Sequence, residues 1–285
     1  MATKTLPERI QMVRATLAPA FAVVLIMLPS CPASAAECQN NPAALGTARV
    51  LTVDPATMPA VGRKQFPVTL PLSPKELVLT FDDGPWPGTT DRVLAALRHE
   101  CVRATFFMLG RNAVAHPALA RRALTEGHTI GHHSFSHPLL SRMPLARAEA
   151  EIDRGIAAVD RVLYPGIGSA PKYAPPTPFF RFPGFASSPA LLQRLAQRRI
   201  AVLGADLWAS DWNPMTPEQE RELLLRRLAA AGGGIVLLHD TKSQTAAMLP
   251  SMLSELKRRG YRVVHIVPPS GSRTDPRAIP SSVSR

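Results

Sequence analysis

Aromatic residues are scarce in this chain, 6% of 285 residues with three tryptophans and three tyrosines. Proteins that grip single-stranded nucleic acid stack bases on aromatic platforms interleaved with cations, and no such array is present. Nucleic acid is therefore excluded as a partner despite a formal net charge of +12. Charged residues make up only 19% against 46% hydrophobic, a globular rather than a disordered composition. The apolar run 17–28 falls short of the roughly 20 residues that span a bilayer. There is no Gly-x-Ser-x-Gly elbow and no phosphate-cradling glycine loop, which argues against serine hydrolases and nucleotide enzymes. No internal repeat recurs at a fixed period beyond an alternation of strands and helices.

Cysteine is rare too, and its three positions are informative. Lys4, Arg9 and Arg14 precede the run 17–28, and Ala33-Ser34-Ala35-Ala36 follows, the three-part layout of a secretory signal. Cleavage is expected near Ala36, so residues 1–36 read as a signal peptide of a secreted or periplasmic protein. An uncleaved anchor is the less favoured alternative, as is lipidation at Cys31, where Pro29 fits a lipoprotein box poorly. Cleavage leaves 30 basic against 20 acidic residues, still basic enough to favour an anionic cell envelope. It also leaves Cys38 and Cys101, which in an oxidising compartment are expected to form a disulfide. That bond would pin an N-terminal extension, residues 37–74, onto the body.

Short runs rich in β-branched and aromatic residues alternate with longer amphipathic stretches, the pattern of an α/β protein with a largely parallel sheet. Seven strands are predicted, at 77–81, 104–109, 129–133, 179–182, 201–205, 234–239 and 262–267. Between them the pattern predicts helices at 91–100, 111–126, 145–163, 189–198, 217–230 and 245–259. Thr216-Pro217-Glu218-Gln219 supplies a cap, a first-turn proline and early acids, and Gly127 and Gly260 follow helix ends. The proline-rich stretch 164–178 cannot continue a helix and reads as a long surface loop. The tail 268–285 reads as flexible.

Polar residues gather where these strands end. Asp82-Asp83-Gly84-Pro85 follows the first strand, and His133 and His137 stand four residues apart after the third. Arg181 lies among phenylalanines, Asp211-Trp212 follows the fifth strand, and His239-Asp240 ends the apolar run 235–238. Each has an ordinary explanation alone, as a turn carboxylate, a solvated ring or a surface cation. Together they occupy the strand ends on which parallel barrels assemble active sites. One carboxylate and two histidines leave a coordination position open for water, the pattern of catalytic zinc. A second carboxylate acting as base and a histidine acting as acid would complete amide hydrolysis without a serine or cysteine nucleophile.

Over residues 75–267 the chain resembles the polysaccharide deacetylases of the NodB-homology type, carbohydrate esterase family 4. Thr80-Phe81-Asp82-Asp83-Gly84, His133-Ser134-Phe135-Ser136-His137, Arg181-Phe182-Pro183, Asp211-Trp212 and Leu237-Leu238-His239 carry the resemblance in order. It implies a distorted (β/α) barrel of about seven parallel strands in a single catalytic domain, and metal-dependent removal of N-acetyl groups from amino sugars. It further implies Asp82 as general base and Asp83, His133 and His137 as ligands of zinc, with cobalt or another divalent transition metal as a substitute. His239 becomes the general acid, Arg181 orients Asp82, and Asp211 holds His239. Leu237 and Trp212 would line the pocket for the acetyl methyl. The family's usual Arg-Pro-Pro-Tyr-Gly reads Arg181-Phe182-Pro183-Gly184-Phe185 here, so the sugar-binding surface is expected to differ, while the Gly184 N–H can still help stabilise an oxyanion.

His132 would alternate away from the site, His128 reads as a loop residue near the helix end at Gly127, and His99, His116 and His265 read as structural. The expected activity is deacetylation of N-acetylated polymers, with peptidoglycan or poly-N-acetylglucosamine ahead of chitin. The alternatives are an amidase of the same fold acting on a small non-sugar amide, or a catalytically silent glycan-binding protein. A monomer without a stable membrane span is expected.

Overall fold

The computed structural model describes residues 1–2, 38, 41–165 and 175–269. Nearly all of the predicted signal peptide, most of the 164–178 loop and most of the tail therefore lie outside the described residues.

The centre of the fold is strand β3 (Glu76–Asp82), buried at every position. One edge of it pairs with β4 (Thr105–Met108) and the other with β9 (Gly234–His239), both parallel. The sheet continues from β4 through β5 (Thr129–His132) and β6 (Phe179–Phe180) to β7 (Ala201–Leu203), again all parallel. Beyond β9 lies the two-residue β8 (Leu207–Trp208), and β10 (Arg262–Val267) joins the start of β3 through Arg262 and Val263. No ladder joins β7 to β8 among the described residues, so the barrel is left open there and is distorted.

All seven predicted strands are present, the shortest being β6 with two residues. Two strands arise from the segment set apart in sequence as an extension. The alternately exposed β1 (Thr47–Thr52) pairs with β10, and β2 (Ala60–Val61) pairs with β7. Val53, Val61 and Leu70 from that segment pack with Val78, Phe107, Phe179 and Ile235 inside the barrel. The expected disulfide joins Cys38 to Cys101, whose Cα atoms are 5.8 Å apart.

Helices cover the outer face, as parallel strands buried on both sides require. Leu77, Leu79 and Phe81 point outward into a core shared with α1 (Thr89–His99) and α7 (Ser243–Arg258). Their alternates Val78, Thr80 and Asp82 share the barrel side of the strand. On the far side, α4 (Leu145–Leu163) and α5 (Pro189–Gln197) pack Ile152, Ile156, Leu191 and Leu195 against Phe180, Phe182 and Val202. The predicted helix 111–126 is corrected to two helices, α2 (Gly110–Ala115) and α3 (Pro117–Thr125). Pro117 disfavours helical geometry at the residue before it, and His116 accordingly sits at φ −129°, ψ 58°. Helix α6 (Pro217–Ala231) starts on the predicted cap, with Thr216 Oγ1 accepting from Gln219 N and Gln219 Oε1 accepting from Thr216 N.

Candidate metal centre and active site

The site is built at the C-terminal ends of the parallel strands. Asp82 is the last residue of β3, on the barrel side, and Asp83 turns the chain out of the strand at φ 77°. His133 follows β5 directly, its N–H donating to Met108 O (3.0 Å), and His137 closes the next loop at φ 70°. Left-handed backbone at non-glycine residues is costly and concentrates at functional sites. Here it occurs at two of the three grouped side chains and at Ser134 between the histidines, φ 65°. Ser134 Oγ accepts from His137 N (3.1 Å) and Asn112 Nδ2 donates to Asp83 O (2.7 Å), so both turns are held from their sides.

Asp83, His133 and His137 bring one ligand atom each to within 4.8 Å of one another. Asp83 Oδ1 lies 3.6 Å from His133 Nε2 and 3.4 Å from His137 Nε2. That oxygen is buried without a hydrogen-bond partner among the described residues, a costly state for a carboxylate that a cation relieves. His133 is ready as a ligand, because its Nδ1–H donates to Arg181 O (2.7 Å) and leaves the Nε2 lone pair facing the group. Burial also drives its pKa down to about 3, so the ring is neutral. The donor set, one carboxylate oxygen and two imidazoles, is a divalent-metal-binding triad, and three protein ligands suit a site that keeps a position for water or substrate.

Two further pairs flank the triad. Asp82 Oδ1 accepts from Arg181 Nη1 (2.8 Å), while its Oδ2 lies 3.7 Å from His133 Nε2. Arg181 is fully buried, as the largest such side chain, and each of its three guanidinium nitrogens donates a hydrogen bond. Its nitrogens donate to Thr80 Oγ1 (2.7 Å), Leu203 O (2.8 Å) and Gly204 O (2.8 Å), and its guanidinium lies 4.2 Å from the Phe107 ring centroid. Burial pushes the Asp82 pKa up and the field of Arg181 pulls it back, leaving it above the ordinary value. The second pair is His239 and Asp211. Asp211 Oδ1 accepts from His239 Nδ1 (2.8 Å) and Oδ2 from His239 N (2.6 Å). Burial opposes protonation of the imidazole, but the bond to Asp211 and the charges of Asp211, Asp82 and Asp83 outweigh it and lift the pKa to about 9. The Nε2 atom then faces the triad, 4.0 Å from Asp83 Oδ2.

Two of the remaining predicted positions adjoin these pairs. Trp212 is half exposed, its ring meeting His239 edge-on at 6.1 Å, and Leu237 is buried opposite Thr80 in the β3–β9 ladder. Gly184 stands in a left-handed turn after Pro183, φ 55°. His132 turns away, bonding to Asp160 Oδ1 (3.0 Å). Thr80, Asn112, Thr245 and Glu220 support the site and were not singled out in sequence. The period-two alternation of β3 marks Thr80 as facing inward with Asp82, but nothing local marks the other three.

A parallel barrel that ends in a divalent-metal triad, with one buried carboxylate and one paired imidazole beside it, defines a class of metal-dependent hydrolase. The family model described as polysaccharide deacetylase matches residues 70–202. A peptidoglycan-N-acetylglucosamine deacetylase of Bacillus cereus is 32% identical over 206 residues, 69% of this chain and 89% of that one. A peptidoglycan-N-acetylglucosamine deacetylase of Listeria monocytogenes is 32% identical over 192 residues, 67% of this chain but 38% of its own length. The chain thus spans well under half of that larger relative. Among solved structures, a Bdellovibrio bacteriovorus peptidoglycan deacetylase superposes with a TM-score of 0.68 at 30% identity, covering 79% of this chain and 60% of that one. The chain belongs to the polysaccharide deacetylase family.

Proposed function

We propose that this protein is an exported, zinc-dependent deacetylase that hydrolyses N-acetyl groups of an amino-sugar polymer, peptidoglycan or poly-N-acetylglucosamine ahead of chitin. The observation that carries the reading is that Asp82 Oδ2 and His239 Nε2 each come within 4.0 Å of a triad atom while each is held from behind by a partner of opposite charge. Asp83, His133 and His137 would hold the zinc, which when bound would supply Lewis-acid polarisation of the scissile carbonyl and a more acidic water.

The chain's own groups move the protons. Asp82, fixed through Oδ1 by Arg181, accepts a proton from the attacking water at Oδ2. His239, its Nδ1–H committed to Asp211, donates from Nε2 to the departing amine as the carbon–nitrogen bond breaks. Acetate and a free sugar amine result. The Gly184 N–H is suited to the developing oxyanion, and Leu237 with Trp212 forms the wall for the acetyl methyl. The indole of Trp212, exposed beside His239, offers a face to a sugar ring. Names of the similar proteins favour a bacterial cell-wall glycan. A disulfide and a basic surface suit an oxidising compartment next to an anionic envelope.

The test is acetate release from peptidoglycan, poly-N-acetylglucosamine, chitin oligomers and acetylated xylan, before and after chelation. Release from the amino-sugar polymers that stops on chelation and returns with zinc or cobalt is expected. Full activity in a metal-free preparation, or release confined to xylan, contradicts the reading.

A further inference from the structure

Behind the Asp211–His239 pair the chain buries a second carboxyl, Glu220 of helix α6, with no exposed surface. Between the two stands Thr245 of helix α7, also fully buried. Its Oγ1 lies 2.9 Å from Asp211 Oδ2 and 2.8 Å from Glu220 Oε1. Both neighbours are carboxyl oxygens, and a threonine hydroxyl carries one hydrogen. It can donate to only one of them and must accept from the other, so one of the two carboxyls carries a proton. Asp211 already accepts two N–H bonds from His239, which an ionised carboxylate satisfies best. Among the described residues Glu220 has no cation within hydrogen-bond reach, and its Oε2 is buried without a partner. The proton therefore belongs on Glu220. Burial acts in the same direction, raising that carboxyl's pKa to about 7.

We propose that Glu220, as a neutral acid, and Thr245 are positioning residues that hold Asp211 in register behind His239. The donor order runs Glu220 to Thr245 to Asp211, each bond fixing the direction of the next. With Glu220 donating, the single Thr245 hydrogen is committed to Asp211 Oδ2, and Asp211 Oδ1 stays aimed at His239 Nδ1. The inference rests on His239 acting as the proton donor of the proposed function, while the protonation of Glu220 stands independently of it.

The experiment compares the full chain with Glu220→Gln, Glu220→Leu, Thr245→Ser and Thr245→Val, using an N-acetylglucosamine tetramer as probe. Glutamine can give an N–H to Thr245 in place of the acid proton, so Glu220→Gln is expected to keep kcat within about threefold of the parent. Glu220→Leu and Thr245→Val are each expected to lose about tenfold in kcat with KM nearly unchanged, and Thr245→Ser to recover most of it. Infrared difference spectra at neutral pH, parent against Glu220→Gln, are expected to show the carbonyl band of a protonated carboxyl. A Glu220→Gln variant as impaired as Glu220→Leu, or an unchanged Thr245→Val, overturns the proposal, and the threonine pair decides it if the leucine variant does not fold. If the parent releases acetate from neither the tetramer nor peptidoglycan nor poly-N-acetylglucosamine, the reading of function fails while the infrared band still decides the protonation. Absence of that band overturns the proposal by itself.

Discussion

Single side chains at this site are defined less by their type than by what stands behind them. Asp82 and Asp83 are neighbours in sequence, yet Arg181 occupies Oδ1 of one while Oδ1 of the other is left to two imidazoles. The difference predicts different failures. Asp82→Asn is expected to abolish acetate release with zinc content unchanged, whereas His133→Ala loses both, as metal analysis beside an acetate assay will show. Near-normal turnover of the asparagine variant would remove Asp82 from its proposed role as base. The imidazole of His239 is raised to about 9 chiefly through Asp211, against the opposing effect of burial. Replacing that carboxylate with an amide lowers the imidazole pKa, so the protonated form is lost earlier as pH rises. In Asp211→Asn the alkaline limb of kcat/KM is expected to move to lower pH, and an unmoved limb would mean that another group sets it. Arg181 and Asp82 form a buried pair, so Arg181→Met is expected to cost about 3–5 kcal/mol of stability in denaturant melts as well as activity.

At the scale of elements, helix α4 holds the histidine loop in place. Gly155 of that helix packs directly on the loop backbone, and a Cβ there would meet Ser134 O at 2.6 Å and Phe135 N at 2.7 Å. Gly155→Ala must push the segment that carries His133 and His137. Zinc affinity measured by competition with a chelator is expected to fall at least tenfold, while an alanine of unchanged affinity would show that the loop yields freely. The strand ends that bear the site were legible in sequence because parallel strands buried on both faces read as apolar runs, and polar residues at their ends stand out. Other features were not legible. The break at His116 is a proline effect inside an otherwise continuous amphipathic pattern. The two-residue β2 and β8 carry too little sequence to show a period. Glu220 sits in a first helical turn, where an acid is ordinarily explained by the helix dipole, and only the packing of α6 on α7 brings it to Thr245.

The whole molecule combines this barrel with a segment that precedes it in sequence and packs against it. Residues 47–61 extend the sheet on both sides, and the Cys38–Cys101 disulfide ties their start to the turn before β4. With a separation of 63 residues, the chain-entropy model gives that bond about 4 kcal/mol of stabilisation. Reduction, or Cys38→Ser with Cys101→Ser, is expected to lower Tm by several degrees without changing kcat, because the bond lies at the end of the strands away from the site. A loss of kcat without a loss of Tm would contradict that separation. No helix among the described residues is long and apolar enough to cross a membrane. What the barrel accomplishes as a whole is to bring residues 83, 133 and 137, from two different strand ends, around one point. The most direct test of that claim is zinc K-edge X-ray absorption on the chelated and reloaded chain. One zinc with two imidazoles and light oxygen ligands at about 2.0–2.2 Å is expected in the parent, with no such shell retained by His133→Ala. A reloaded protein whose zinc shell contains no imidazole, or is the same in the variant, would contradict it.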